Sequence, residues 1–261
     1  MDGPSLTLLG TGTSMGVPMV GCRCAVCRSD DPRDKRTRCG ALLRGPAGAA
    51  VIDTPPELRL QLIREEVRHV DAALFTHAHA DHVVGLDDLR ICGLRADGAL
   101  PLFCEEAVES QLRQMFHYAF APPSAGAHAG SVPQYEVRPI GPDLRPFEVG
   151  GLTIRPLRLM HGRLPILGFR VRDVAYCTDV SEIPAETWPH LEGLDTLVVD
   201  ALRPDPHPTH FHLDGALAAI ERAAPKRAVL THIAHQMGHD ETSRRLPVGV
   251  EMGYDGLSVP V

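Results

Sequence analysis

The sequence predicts an α/β protein built from stacked layers, and three observations predict it. Short β-rich runs alternate with amphipathic helical patterns along the whole chain. Many of those runs end in His or Asp, the place from which loops gather side chains into a cleft at the rim of a sheet. At 261 residues and 44% hydrophobic, the chain has apolar content for a sizeable core without covalent staples. No short-period repeat divides it, so residues 1–261 read as one domain.

The first β-rich run is SLTLLG (5–10). GTGTSMG (10–16) follows it and superficially resembles a phosphate-binding glycine loop, but it has neither the Walker lysine nor dinucleotide spacing. Its glycines are expected to permit a tight turn. VGCRCAVCR (20–28) then places Cys22, Cys24 and Cys27 within six positions, with no fourth thiol or imidazole nearby to complete a tetrahedral set. The runs AAVID (49–53) and AALFTH (72–77) flank the first helical pattern, PPELRLQLIREEV (55–67). EEAVESQLRQMFHYAF (105–120) is the second, again with apolar residues three and four apart. Residues 121–133, rich in Pro, Gly, Ala and Ser, read as a mobile loop. The segment 117–134, with His117, Tyr118 and Phe120 at its start, is expected to overhang the site and shape its pocket. LTIRPLRL (152–159), ILGFRV (166–171), VAYCTD (174–179), TLVVDA (196–201) and AVLTH (228–232) follow, with the third helical pattern at LDGALAAIERAA (213–224).

Composition narrows the function classes. A net charge of −7 argues against general affinity for polyanions, which rests mainly on phosphate neutralisation, so no stable nucleic-acid partner is expected and a small-molecule substrate is the default. No stretch approaches the roughly 20 apolar residues that span a bilayer, and MDGPSLTLLG lacks a basic start before a long apolar run. We therefore expect a soluble, cytoplasmic protein with no membrane partner. Seven cysteines, three crowded and Cys39, Cys92, Cys104 and Cys177 scattered in apolar surroundings, fit reduced thiols and not a disulfide framework.

The chemistry concentrates in FTHAHADHVVGL (75–86). In an extended segment His77 and His79 point to the same side, and Asp81 and His82 lie where the chain turns into the next helix, so four ligand candidates converge within six residues. Imidazole and carboxylate are ligands for Zn, Fe, Ni or Mn. HAHADH resembles the HxHxDH signature of the metallo-β-lactamase superfamily, and the later ligands of that family follow in its order: His161 after LTIRPLRLM, Asp179 ending VAYCTD and His232 ending AVLTH. The resemblance implies an αββα four-layer sandwich and two catalytic divalent metals, Mn or Zn. His77, His79 and His161 would hold one, Asp81, His82 and His232 the other, and Asp179 would bridge them. Asp53 resembles the superfamily's first motif, a carboxylate that orients a ligand histidine.

Two metals sharing a carboxylate can acidify a bridging water and neutralise charge growing on a phosphoryl oxygen, which fits phosphodiester hydrolysis. Thioester and lactam hydrolysis use the same ligands. DPHPTHFHLDGA (205–216) leans toward the phosphodiester, because departing alkoxide needs a proton donor. Here the chain resembles the PhnP-type phosphodiesterases, which open phosphoribosyl 1,2-cyclic phosphate. The resemblance runs from the first strand to YDGLSV and includes the thiol cluster, THAHADHVVGL and THIAHQ. It implies a histidine general acid at His210, with His212 the competitor, His207 a solvated loop residue and Asp81 counted with the catalytic residues as well as the ligands. It also implies one structural zinc on Cys22, Cys24, Cys27 and the distant His235, a closed set with no position open for substrate. Arg163 is a candidate phosphate partner. The implied substrate is a small phosphodiester, cyclic or nucleotide-like, and base rate with family resemblance favours a homodimer. A tRNase Z-like nuclease would need a basic arm absent from this sequence, and a glyoxalase II-type thioester hydrolase would leave the thiols and the 205–216 histidines without a role.

Overall fold

A computed structural model describes residues 3–95, 98–121 and 132–261 of the protein. The N-terminal half supplies strands β1 (Ser5–Gly10), β2 (Gly40–Gly45), β3 (Gly48–Ile52), β4 (Ala72–Leu74), β5 (Leu100–Cys104) and β6 (Tyr135–Pro139). The C-terminal half supplies β7 (Phe147–Val149), β8 (Leu152–His161), β9 (Leu164–Val171), β10 (Val174–Cys177), β11 (Thr196–Asp200), β12 (Arg227–Thr231), β13 (Val250–Met252) and β14 (Ser258–Pro260). Among the described residues they form two seven-stranded sheets, ordered β14-β1-β2-β3-β4-β5-β6 and β13-β12-β11-β10-β9-β8-β7. The last strand crosses to the N-terminal sheet, where Val259 lies opposite Leu6 in an antiparallel pair.

Side-chain alternation explains the layering. Leu6 and Leu8 of β1, Ala41 and Leu43 of β2 and Ile52 of β3 meet Ile154, Phe169, Tyr176, Val198 and Val229 of the other sheet in one buried core. The intervening residues point outward: Leu9, Leu42 and Val51 pack beneath helices that carry Leu58, Val108 and Leu112. On the far side Leu197, Val199, Ala228 and Leu230 pack against Ala216, Ala219, Ile220 and Ala223 of the helix Leu213–Ala223. Both sheets are therefore covered on both faces, and the architecture is the αββα sandwich expected.

Three local expectations are refined. The helix anticipated at 55–67 runs only over Leu58–Arg64, because a residue that precedes a proline, as Thr54 and Pro55 do, is disfavoured in helical conformation, and Glu66 turns left-handed at φ 51°. The pattern at 105–120 breaks at Phe116 (φ −118°, ψ 38°) into Glu106–Met115 and His117–Phe120. In GTGTSMG only Gly16 has a positive φ, 62°, while Gly10 and Gly12 are required for a different reason. A side chain at Gly10 would strike the carbonyl oxygen of Arg38, and one at Gly12 would come within 2.8 Å of the Arg36 carbonyl. Their role is close backbone approach, which brings 10–13 against 36–38. Of the segment 117–134, residues 122–131 lie outside the described residues. Tyr118 donates to Asp87 Oδ1 at 2.6 Å and Phe120 packs on Tyr135, which ties the segment's start to the outer face of the first sheet. No helix among the described residues is long and apolar enough to cross a membrane.

Candidate metal centre

The carboxyl ends of β3, β4, β8, β10, β11 and β12 meet at one edge of the sandwich, and the polar residues following them converge there. The bends are sharp. Asp53, Asp179 and His232 adopt φ 63°, 57° and 56°, a left-handed backbone that non-glycine residues hold only when their surroundings impose it. Each sits one or two residues past its strand, so the turn that ends the strand also aims the side chain.

Two groups of ligand atoms result, each with all members within 4.8 Å of one another: His77, His79 and His161, and Asp81, His82, Asp179 and His232. Asp179 stands between them. Its Oδ1 lies 3.2 Å from His82 Nε2, its Oδ2 3.3 Å from His232 Nε2, and it also clusters with His161 and His210. His79 is exposed and Asp81 half-buried, while the other five are buried, so the centre opens on the His79 and Asp81 side.

Imidazole tautomers are set from behind. Buried Asp53 accepts from the Thr76 N–H and hydroxyl at 2.8 Å each and from His82 Nδ1 at 2.7 Å, leaving His82 Nε2 for the centre. His161 Nδ1 donates to the Thr209 carbonyl at 2.6 Å, which leaves its Nε2 free in the same way. The Nε2 atoms of His77, His82 and His232 are buried and make no hydrogen bond. Such atoms are costly without a partner, and a borderline-to-hard divalent cation is what this imidazole and carboxylate set suits. Electrostatics agree. Burial opposes charge on Asp179, yet His232 and His82 hold its carboxyl well below the usual range. Burial likewise opposes charge on His232, yet Asp179, Asp81 and Asp200 raise it to about 9. Protons thus fill a role that a cation can take over.

Of the three histidines in 205–216, the structure brings one to the centre. His210 is buried, stacks on His232 with centroids 4.7 Å apart and meets His161 edge-on at 4.5 Å. His207 turns back on Thr209, with Nδ1 3.2 Å from its hydroxyl, although its ring lies 5.1 Å from that of His210. His212 caps the helix Leu213–Ala223 with its ring against Gly215 and joins none of the ligand clusters. Arg163 is exposed in the turn between β8 and β9.

The residue that sequence reasoning missed is Asp200. It is buried at the end of β11, accepts from His210 Nδ1 at 2.8 Å and lies 3.7 Å from His232 Nδ1. Its signal was present, since TLVVDA ends a strand in Asp as VAYCTD does.

The thiol cluster closes as well. Cys22 and Cys24 Sγ each lie 3.4 Å from His235 Nδ1, and these three with Cys27 have ligand atoms within 4.8 Å. The Cys27 N–H and then the His235 imidazole lower Cys24 to about 6, whereas burial raises Cys27 to about 11. Three thiols and one imidazole at tetrahedral-edge separations fit a zinc ion. The cluster joins the loop 20–28 to the loop that carries His232.

Comparisons with known proteins agree with this geometry. The family model described as "Beta-lactamase superfamily domain" matches residues 49–233, from Asp53 to His232. An octanoyltransferase of Porphyromonas gingivalis is 42% identical over 254 residues, covering 96% of this chain and 50% of its own, so the chain spans about half the length of that relative. The crystal structure of a diphosphatase from the PhnP family superposes with a TM-score of 0.90 at 40% identity, over 98% of this chain and 96% of that one. Zinc-bound PqqB from Methylobacterium extorquens shares the fold, with a TM-score of 0.76 at 17% identity over 98% and 100% of the two chains. With the family model covering residues 49–233 and a PhnP-family structure superposing along nearly its whole length, the chain belongs to the metallo-β-lactamase superfamily and is PhnP-like.

Proposed function

We propose that the protein is a binuclear phosphodiesterase that cleaves small molecules at a P–O bond, in a cyclic or nucleotide-like diester or in a disubstituted diphosphate. The observation that carries this reading is the Asp200–His210 pair set against both metal groups. Thioester hydrolysis needs no such histidine, because a thiolate leaves without a proton, whereas an alkoxide leaving group gains from one. The PhnP-family neighbour, named a diphosphatase, adds the P–O–P bond to the substrate class.

His77, His79 and His161 would hold one cation, Asp81, His82 and His232 the other, with Asp179 shared; Mn and Zn both suit these donors. Bound there, the cations supply Lewis acidity to water and to phosphoryl oxygen. The chain's own residues do the rest. Asp53 and the Thr209 carbonyl hold the tautomers of His82 and His161. Burial, then His232, lower His210 to about 4, so its ring is neutral at rest, with Nδ1–H donating to Asp200 and Nε2 free. An incoming phosphate anion favours the imidazolium, so His210 takes a proton from solvent at Nε2 as substrate binds and passes that proton to the leaving oxygen.

Octanoyl transfer, the activity named for the P. gingivalis relative, is the competing reading. The thiols outside the 22–27 cluster, Cys39, Cys92, Cys104 and Cys177, are buried, and half of that relative's length lies beyond the match. The test is a panel with Mn- or Zn-loaded protein: bis(p-nitrophenyl) phosphate, a ribosyl cyclic phosphate, a nucleoside diphosphate ester, S-lactoylglutathione, nitrocefin and an octanoyl thioester. Turnover confined to the last three would end the proposal. His210→Ala should keep its metals and lose about 10²–10⁴ in kcat on the ribosyl cyclic phosphate, whose leaving group is an alkoxide, and far less on bis(p-nitrophenyl) phosphate, whose phenolate leaves without a proton.

A further inference from the structure

Two of the seven metal-ligand candidates also line a cavity beside the centre. A cavity of about 510 Å³ opens beside buried His77 and exposed His79. Val108, Ile140, Pro142, Leu164 and Pro165 make its other walls apolar. That volume lies within the range of small-molecule sites and far exceeds what one phosphoryl group needs. Nothing in the hydrolytic chemistry uses it.

We propose, resting on the phosphodiesterase reading, that this cavity holds the non-reacting substituent of the substrate and selects an uncharged, flat or apolar group such as a nucleoside or aryl moiety over one bearing a second phosphate. Continuity with the metal ligands argues that substrate fills it: His77 and His79 belong both to one metal group and to this lining, so a phosphorus ester held at that group can extend a substituent here. Wall chemistry argues for an apolar occupant, since burying such a group against five apolar side chains is favourable and burying an unpaired phosphate there is costly.

Charge argues against an anion more directly. The cavity's charged side chains are Glu105, Glu106 and Arg158. Arg158 is committed to Glu105 through two bonds, Nη1 to Oε2 at 2.9 Å and Nη2 to Oε1 at 2.5 Å, which leaves Glu106 as the net negative charge. The helix Glu106–Met115 begins at this cavity, but Glu106 and Glu109 lie in its first turn and offset the positive end that would otherwise attract phosphate.

The experiment keeps one leaving group and varies the substituent. Methyl p-nitrophenyl phosphate, the p-nitrophenyl ester of thymidine 5′-phosphate and a p-nitrophenyl diester bearing a second phosphate all release p-nitrophenolate. For the wild-type enzyme we expect kcat/KM for the thymidine ester to exceed that for the methyl ester by about tenfold or more, mainly through KM, and the doubly charged substrate to fall below both. Gln111→Trp, which fills the cavity from an exposed helix position, should abolish the thymidine preference while the methyl ester is turned over within about twofold of wild type. Glu106→Lys should raise kcat/KM for the doubly charged substrate. Equal kcat/KM for methyl and thymidine esters, a preference that survives Gln111→Trp, or a wild-type preference for the second phosphate would each overturn the assignment. Absence of turnover on all three diesters would instead refute the phosphodiesterase reading on which it rests.

Discussion

Replacing Asp53 by Asn separates the wiring of the centre from its packing. Asp53 is fully buried and accepts three hydrogen bonds, two from Thr76 and one from His82 Nδ1. Asn keeps the shape and tolerates the left-handed φ of 63° better than most residues, so the backbone is not the variable. What changes is that one acceptor oxygen becomes an N–H₂ donor. If Oδ1 continues to accept from Thr76, the amide nitrogen faces His82 Nδ1, and that ring nitrogen must give up its hydrogen to accept. The proton moves to Nε2, the atom that points at the centre. Binding metal then requires restoring the unfavourable tautomer, at the cost of a hydrogen bond to a charged group, about 1.5–3 kcal/mol. At 1.4 kcal/mol per decade this is roughly a 10- to 150-fold loss of affinity at the site that includes His82. Isothermal titration with Mn or Zn into metal-free protein, alongside metal content by mass spectrometry, measures it. Circular dichroism and the melting temperature of the metal-free forms should differ little. An affinity within threefold of wild type would refute the argument that Asp53 sets the His82 tautomer.

Further outcomes are expected elsewhere in the molecule. Asp200→Asn should retain both metals and lose about 10–100-fold in kcat on phosphodiesters, because His210 then loses its carboxylate partner; unchanged kcat would remove Asp200 from the mechanism. Cys24→Ser should release one chelator-resistant zinc, seen by native mass spectrometry, and lower Tm by about 6–12 °C if about 3 kcal/mol of binding energy is lost. Asp31 is held at about 2 by its bond to the Arg33 guanidinium and by the Arg33 N–H that it caps. Its folded pKa is depressed, so its contribution is complete above the unfolded value near 3.9 and disappears as pH falls through about 2. Thermal melts of wild type and Asp31→Asn should therefore differ at pH 5 and converge toward pH 2, and a constant difference would contradict this.

How much was legible in the sequence follows from where each signal resides. Local spacing carries a ligand group whose members share one turn, so FTHAHADH announced four ligands at once, and the strand-exit positions of His161, Asp179 and His232 could be ordered after them. Helix ends were less legible, because the break at Phe116 and the late start at Leu58 depend on backbone angles that apolar spacing does not encode. Short strands such as β13 and β14 have only three residues each, too few for periodicity to reveal; they exist because β12 and β1 offer unpaired edges. GTGTSMG looked like a turn for the same reason: the sequence shows the glycines but not the 36–38 backbone pressed against them.

By itself, then, the sequence determined the layered α/β class, the four donors of HAHADH and the three crowded thiols, which are properties of residue type at short range, while the three later donors entered through the resemblance to the metallo-β-lactamase superfamily. The resemblance favoured His210 over His207 and His212, and the tertiary structure supplies the physical reason it faces the centre, the buried Asp200 at the end of a different strand. It also decided that His235 meets Cys22 and Cys24 across more than two hundred residues. Contacts of that kind depend on two sheets packing face to face, and no spacing along one chain contains them.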